Sequence, residues 1–421
     1  MNMKKKSPTS ISIEIKITLN SSMLEFEEEL QKKLNEAGTL AVKEQLEYMD
    51  TDGSSIQVGE TKLTTKGKVS KEYHTAHGTV SVERHVYQSN QGGATYCPME
   101  SNARIIESAT PRLAKIISTK YGTMSGAVQV QKDIQVTSGY HLSKGYIQNI
   151  SNAVATIALQ KEDNWKYSLP EIERPVKSIS IGLDGTTSFI TGEGWRETMV
   201  GTIAFYDKDG ERMHTIYKAN APEYGKETFL NTMQKAVDEV KEHYPKATYL
   251  GIADGAKSNW EFLDKQTDVQ TLDFFHVTEY LGNVKEIIFK KNEEIGKEWM
   301  EERCHKLKHS HNGASTILKE LYEFHKQKLN PENKKVLQST ITYFENNKNK
   351  MNYSRNVENN FPIGSGVTEA ACKVIVKQRM CSSGMKWKIE GAQTVLKLRT
   401  LYYSNTQLEQ FWNKLNQYGI N

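Results

Sequence analysis

Two short apolar runs, each ending in Asp-Gly, most limit what this chain can fold into. One is Ser180-Ile181-Gly182-Leu183-Asp184-Gly185, the other Tyr249-Leu250-Gly251-Ile252-Ala253-Asp254-Gly255. Side-chain alternation puts Ile179, Ile181 and Leu183 on one face of the first strand, and Ser180, Gly182 and Asp184 on the other. Strands are expected over 178–189, 197–206, 211–217, 248–253 and 269–275, with a hairpin turn at Asp207-Lys208-Asp209-Gly210. A helix over 226–243 carries Phe229, Met233, Ala236, Val237 and Val240 on one face. The order is three strands, helix, strand, helix, strand. It predicts a mixed five-stranded sheet covered by helices. The two Asp-Gly strands become parallel neighbours, and each carboxylate is expected at a strand's carboxyl end. Taken singly, each Asp-Gly is also an ordinary turn signal.

This is the element order of an RNase H-like α/β core. From 277 to 360 the chain is polar and helical, with Trp299, Leu307, Ile317, Leu321 and Phe324 at helical spacings, and reads as an insertion. A final helical block follows over 361–421. Within it, Pro362-Ile363-Gly364-Ser365-Gly366 opens a helix with Glu369 in its first turn. A capping box fails by one residue, because Ser365 plus three is Thr368. Favourable placement against the helix dipole remains an alternative role for Glu369. Lys373 and Lys377 follow at i+4 and i+8. From Lys373 to Arg399 there are seven basic residues and one acid, Glu390.

The N-terminal part reads as an α+β region. Residues 11–17 alternate like a strand; charges inside the apolar stretch exclude a signal-peptide core. A helix is expected over 21–50 and a hairpin within 62–88, completing a region over 1–100. Over 104–162 three helices follow, the second stopping at Ser138-Gly139 and the third starting after Ser143, a suitable N-cap. The third buries Ile147, Ile150, Val154 and Ile157. It offers Lys144, Gln148, Asn149 and Asn152 on its other side. That pattern fits a helix-turn-helix, whose lysines hold phosphates while amides reach adenine edges. It also fits a plain three-helix bundle. A linker over 165–176 separates this block from the core, whose first part is 176–276.

Composition bounds the partners. The 421 residues predict two to four domains, and 37% hydrophobic with 25% charged residues fits a well-folded chain. Fifty-five Lys+Arg against 51 Asp+Glu leave +4, so any nucleic-acid surface must be local. Four scattered cysteines give no disulfide framework. His305, His309 and His311 near Cys304 fit no common zinc spacing and are expected at the surface. No apolar run is long enough to span a membrane, and a cytoplasmic location is expected. Clustered carboxylates without Cys or a His triad select hard cations such as Mg²⁺ or Mn²⁺. Two such ions serve in-line phosphoryl displacement.

Four blocks together resemble the DDE transposases of bacterial insertion sequences, nearest the ISKra-type group with the ISLre-type group behind it. They are LDGTT at 183–187, GIADGAKSNW at 251–260, DFFHVTEYL at 273–281 and PIGSGVTEAACK at 362–373. The resemblance runs from about Thr79 onward and implies a triad of Asp184, Asp254 and Glu369, ligating two Mg²⁺ or Mn²⁺ ions. Asp273-x-x-His276 resembles the D-x-x-H signature of Mutator-like and hAT-like elements. Further implications are double-stranded DNA partners (transposon ends and target), a homo-oligomer assembled on DNA, and a bacterial, nucleoid-associated setting. A nuclease or resolvase of the same fold, or a domesticated DNA-binding protein, are the alternatives. His276 is a candidate catalytic residue if the strand ends before it and the chain turns back toward the acids. Otherwise Asp273 caps the following segment and His276 packs there. Lys373 and Lys377 are candidate phosphate contacts.

Overall fold

The computed structural model describes residues 2–7, 10–162 and 164–420. The chain forms two compact units, Met1–Ser168 with Lys397–Asn421, and Leu169–Leu396. These cut across the sequence boundaries: the 361–421 block is divided after Leu396, and the two N-terminal regions share one unit.

In the first unit, strands β1 (Asn2–Ser7) and β2 (Ser10–Glu14) form an antiparallel pair. Helix α1 (Met23–Tyr48) starts at Ser22, whose Oγ accepts the Glu25 N–H. A four-stranded antiparallel meander follows: β3 (Ile56–Val58), β4 (Thr61–Thr75), β5 (Gly78–Ser89) and β6 (Gly92–Tyr96). Alternation along β5 turns Val80, Val82 and Arg84 inward. The two valines pack with Leu46, Tyr73 and, from the α2 (Pro98–Asn102) segment, Cys97 and Met99. Helices α3 (Pro111–Thr123), α4 (Ala127–Ser138) and α5 (Lys144–Gln160) form the expected trio. Gly139 closes α4 in the left-handed region, φ 64°, where a side chain would be strained. Ser143 Oγ accepts the Tyr146 N–H and caps α5. Ile147, Ile150, Val154 and Ile157 are buried, while Lys144, Gln148, Asn149 and Asn152 are exposed.

The second unit is built on β7 (Ser178–Ile190), β8 (Gly194–Tyr206), β9 (Arg212–Asn220), β10 (Thr248–Ala253) and β11 (Val269–Leu272), with helices α6 (Glu227–His243) and α7 (Lys257–Gln266) between. The strand order is β11-β10-β7-β8-β9. β7, β8 and β9 are antiparallel neighbours, whereas β10 runs parallel to both β7 and β11. This is the expected mixed five-stranded sheet. Ile179, Ile181 and Leu183 are buried in one core with Phe229, Met233 and Val237 of α6. Each such side chain contributes about 1.5–3 kcal/mol on burial.

The helical block comprises α8 (Phe274–Ile288), α9 (Glu293–His309), α10 (Gly313–His325), α11 (Pro331–Asn347) and α12 (Tyr353–Glu358). Its Val277, Leu281, Leu307, Ile317 and Phe344 belong to the same core as the sheet. α12 covers the edge strand β11, with Tyr353 donating to the Leu272 carbonyl and Asn356 to Thr271 Oγ1. The block begins at Phe274, because β11 stops at Leu272 rather than continuing to Phe275. The final helical stretch is also interrupted. α13 (Gly366–Ala371), a π-helical segment (Cys372–Lys377) and α14 (Gln378–Met380) form one run. Residues 381–388 then break it before α15 (Ile389–Tyr403) and α16 (Gln407–Tyr418). Among the described residues no helix is long and apolar enough to cross a membrane.

Candidate active site

Strand register brings the first two acids together. Ile252 pairs with Gly182 across the parallel β10–β7 ladder. Asp254 and Asp184 each lie two residues further on, both pairs being 70 positions apart (252 − 182 and 254 − 184). β10 ends at Ala253, so Asp254 stands just beyond its tip as expected. Asp184 does not end its strand: β7 continues to Ile190, paired with β8. It sits where β10 leaves the sheet, a fork that opens space beside it. Asp254 Oδ1 accepts the Ala256 N–H at 3.0 Å, and its carbonyl accepts the Trp260 indole N–H at 2.8 Å. These bonds hold the turn into α7.

The third acid arrives through close helix–sheet packing. Gly182 lies under α13, where a Cβ would stand 2.0 Å from Thr368 Oγ1. Thr368 and Thr202 hydroxyls share a hydrogen bond of 2.8 Å. No larger residue at 182 lets α13 sit this close. Glu369 follows Thr368 directly, as Asp184 follows Gly182 by two. Ser365 makes no side-chain cap bond; its hydroxyl instead donates to Glu369 Oε1 at 2.9 Å. An open cleft of about 810 Å³ is lined by Asp184, Glu369, Cys372, Lys373, Lys377 and Gln378, among others. Both lysines therefore flank the acids, across a π-helical segment of a kind that recurs at functional sites.

Asp184 is poorly compensated. Burial, then the nearby negative charge of Asp254, push its carboxyl above the ordinary value. The Cys372 thiol, donating to Oδ2 at 3.3 Å, and the Gly185 N–H on Oδ1 only partly offset this. Cys372 is itself buried, and burial together with Asp184 pushes its thiol pKa far up, so it stays a neutral donor. Sequence reading missed this residue.

Asp273 and His276 combine both readings left open by the sequence. Asp273 is fully buried and caps α8, Oδ1 accepting the His276 N–H at 2.8 Å. Its Oδ2 accepts the Ser365 N–H, and its own N–H donates to the Ala253 carbonyl at 2.9 Å. One residue thus ties together the segments that carry Asp254, Glu369 and His276. Burial works to raise its carboxyl pKa, but the bonds from Ser365 and His276 outweigh it and the value lies below normal. His276 Nδ1 faces Asp273 Oδ1 at 3.4 Å. Burial lowers the imidazole pKa, yet Asp273 and the more distant Glu279 and Asp254 more than reverse this, so it is raised.

Ligand atoms of Asp273, His276 and Glu369 all lie within 4.8 Å of one another, and they are the group so placed among the described residues. Asp184, Asp254 and Glu369 are not drawn together that tightly. A two-ion site does not require it. Ions about 3.5–4 Å apart with bonds of about 2.1 Å span roughly 8 Å between outer oxygens. Asp273 is fully buried and both its oxygens accept backbone N–H groups, so it would be a weaker ligand than Glu369. Asp254 and Glu369 each keep one carboxylate oxygen outside the bonds described above. Asp184 already accepts on both oxygens, from the Cys372 thiol and the Gly185 N–H, so a hard cation here would meet two acids with a free oxygen and a like-charge clash at Asp184.

No family model matches the chain, and no curated protein matches it.

The basic tract needs correction. Arg379, Lys397 and Arg399 are buried. Arg379 stacks on Trp387, Lys397 pairs with Glu162 at 2.7 Å, and Arg399 donates to the Gly122 carbonyl. Four of the seven, Lys373, Lys377, Lys386 and Lys388, are exposed. Lys144, Gln148, Asn149 and Asn152 lie on α5 of the other compact unit. His305, His309 and His311 are exposed as expected.

Proposed function

We propose that this protein is a DNA transposase that cuts DNA at transposon ends and joins them to target DNA. The observation that carries the reading is the meeting of Asp184 and Asp254 at the β7–β10 fork, with Glu369 on the helix packed over it. The sheet order, three antiparallel strands flanked by two parallel ones, supports an RNase H-like core. The α4–turn–α5 pair, with its exposed lysine and amides, supports a helix-turn-helix that binds ends.

The residues divide the work as follows. Asp184, Asp254 and Glu369 would hold two Mg²⁺ or Mn²⁺ ions, which supply charge stabilisation for the attacking and leaving oxygens of phosphoryl transfer. Lys373 and Lys377 neutralise the DNA backbone along the cleft. Asp273 fixes the imidazole of His276 through Nδ1, leaving Nε2 to contact a phosphate oxygen or carry a proton. Cys372 orients Asp184. α5 selects the DNA through Gln148, Asn149 and Asn152, anchored by Lys144.

The test is nicking of supercoiled plasmid, followed by strand transfer with pre-nicked end DNA. Nicking should require Mg²⁺ or Mn²⁺ and disappear in EDTA and in Asp254→Asn. Calcium should allow binding without turnover, its looser geometry misplacing the reacting oxygens. Full nicking in EDTA ends the two-ion reading; nicking without strand transfer reduces the protein to a nuclease.

A further inference from the structure

The tip of the β7–β8 hairpin carries a feature that cutting does not use. Trp195 is 67% exposed and meets its cross-strand partner Phe189 edge-on, ring centroids 5.7 Å apart. Beside them lies a slot of about 290 Å³, closed on its far side by Met380 and the 381–386 loop. That loop is pinned rather than free. The Trp387 carbonyl accepts the Thr191 N–H at 2.8 Å, and its N–H donates to the Phe189 carbonyl at 3.3 Å. The Trp387 indole N–H donates to the Met380 carbonyl at 3.0 Å, with Arg379 stacked on the ring.

Two observations define an occupant. None of the slot's lining residues is acidic, and the nearby Glu193 is engaged by Arg196. Lys386 and Lys388 flank the pinned Trp387 in sequence and are exposed, and Lys386 lines the slot. An exposed indole, a slot with room for a base and its sugar, and exposed ammonium groups beside it would take one nucleotide: its base on Trp195, its phosphates on the lysines. The same helical run lines the catalytic cleft at Gln378 and the slot at Met380.

The geometry points to the Phe189–Trp195 slot as a binding site for an unpaired nucleotide at a DNA end. This rests on the reading of the protein as a DNA-processing enzyme. Duplex DNA is a poor occupant, since its bases stack on one another and present only edges. At a terminus the unpairing cost is least, and stacking on an aromatic ring offsets it without sequence preference.

The experiment compares full-length protein binding to a labelled duplex with a four-nucleotide single-stranded overhang and to the same duplex with blunt ends. Fluorescence anisotropy is read in EDTA, so no cutting intervenes. Wild type should prefer the overhang by about 5- to 150-fold, the scale of one base–aromatic stack. Trp195→Ala should bring the overhang down to the blunt level, and Trp195→Phe should keep most of the preference. Lys386→Ala with Lys388→Ala should weaken the overhang probe more than the blunt one and flatten the salt dependence of overhang binding by about two phosphate contacts. In wild type, 2-aminopurine in the overhang should be quenched on binding, which needs no variant to fold. Equal affinity for both probes, an unchanged preference in folded Trp195→Ala, or no quenching overturns the proposal. Metal-dependent nicking, and its loss in Asp254→Asn, reports separately on the transposase reading.

Discussion

Two acidic sites, one in each compact unit, follow opposite rules. In the first unit, Glu100 of α2 accepts hydrogen bonds from Lys71, Tyr73 and Arg84. Burial would raise its pKa, but the bonds from Lys71 and Tyr73 outweigh this and hold it below normal. Every part of that network is supplied by the chain. In the second unit, Asp184 faces Asp254 with a thiol and a backbone N–H for company, and its pKa moves upward. Nearby Lys373 and Lys377 line the open cleft and form no ion pair with it among the described residues. The first cluster is complete and structural. The second is left short of positive charge, as the proposed cation and phosphate site would require.

The sharpest way to break this contrast is to neutralise the acids in turn. Asp184→Asn, Asp254→Asn or Glu369→Gln should reduce Mn²⁺-dependent plasmid nicking by orders of magnitude while DNA binding survives. A variant that nicks at the wild-type rate removes that acid from the site. His276→Ala should slow nicking by about 10²- to 10⁴-fold, the range of a general acid–base group, with little change in thermal stability. Asp273→Asn should cost less than Asp254→Asn, because its oxygens hold backbone N–H groups rather than ions. If it is as inactive as Asp254→Asn, the Asp273–His276–Glu369 group holds the metal.

Much of this site was legible because period-two alternation and Asp-Gly punctuation are local signals. They placed Asp184 and Asp254 on neighbouring parallel strands. What escaped depends on neighbours. The sequence of β7 does not reveal where β10 stops pairing with it, so Asp184 read as a strand end instead of a fork. Phe274 and Phe275 favour strand by propensity, but the Asp273 carboxylate captures the His276 N–H and starts a helix. A linear count of lysines and arginines cannot show that Arg379, Lys397 and Arg399 turn inward. Cys372 had no spacing signal at all; only its contact with Asp184 singles it out.

A smaller effect is expected at the structural cluster. Glu100→Gln keeps the shape but loses the charge that Lys71 and the largely buried Arg84 share. It should destabilise by about 1–3 kcal/mol, the cost of leaving buried donors poorly paired. Thermal melting should show the loss. Nicking by the folded fraction should be unchanged. A neutral result would mean that the network contributes nothing net and that the contrast rests on Asp184 alone.

The smallest effect carries the opposite sign. The folded-state pKa of Asp184 lies above its ordinary 3.8, so over the interval between those values the native state binds more protons than the unfolded chain. Stability attributable to this group therefore falls as pH rises through that interval. Glu100 behaves in reverse: its folded value lies below 4.5, so its contribution is present above 4.5 and lost as pH falls through the folded value. In EDTA at neutral pH, Asp184→Asn should raise the melting temperature by about 1–2 °C, while Glu100→Gln lowers it. Added Mn²⁺ should then stabilise wild type and leave Asp184→Asn nearly unmoved, since a ligand that binds only the native state raises stability. If Asp184→Asn instead melts lower in EDTA, like Glu100→Gln, Asp184 is a structural acid held by Cys372 and Gly185. The distinction between a complete and an incomplete cluster would then collapse.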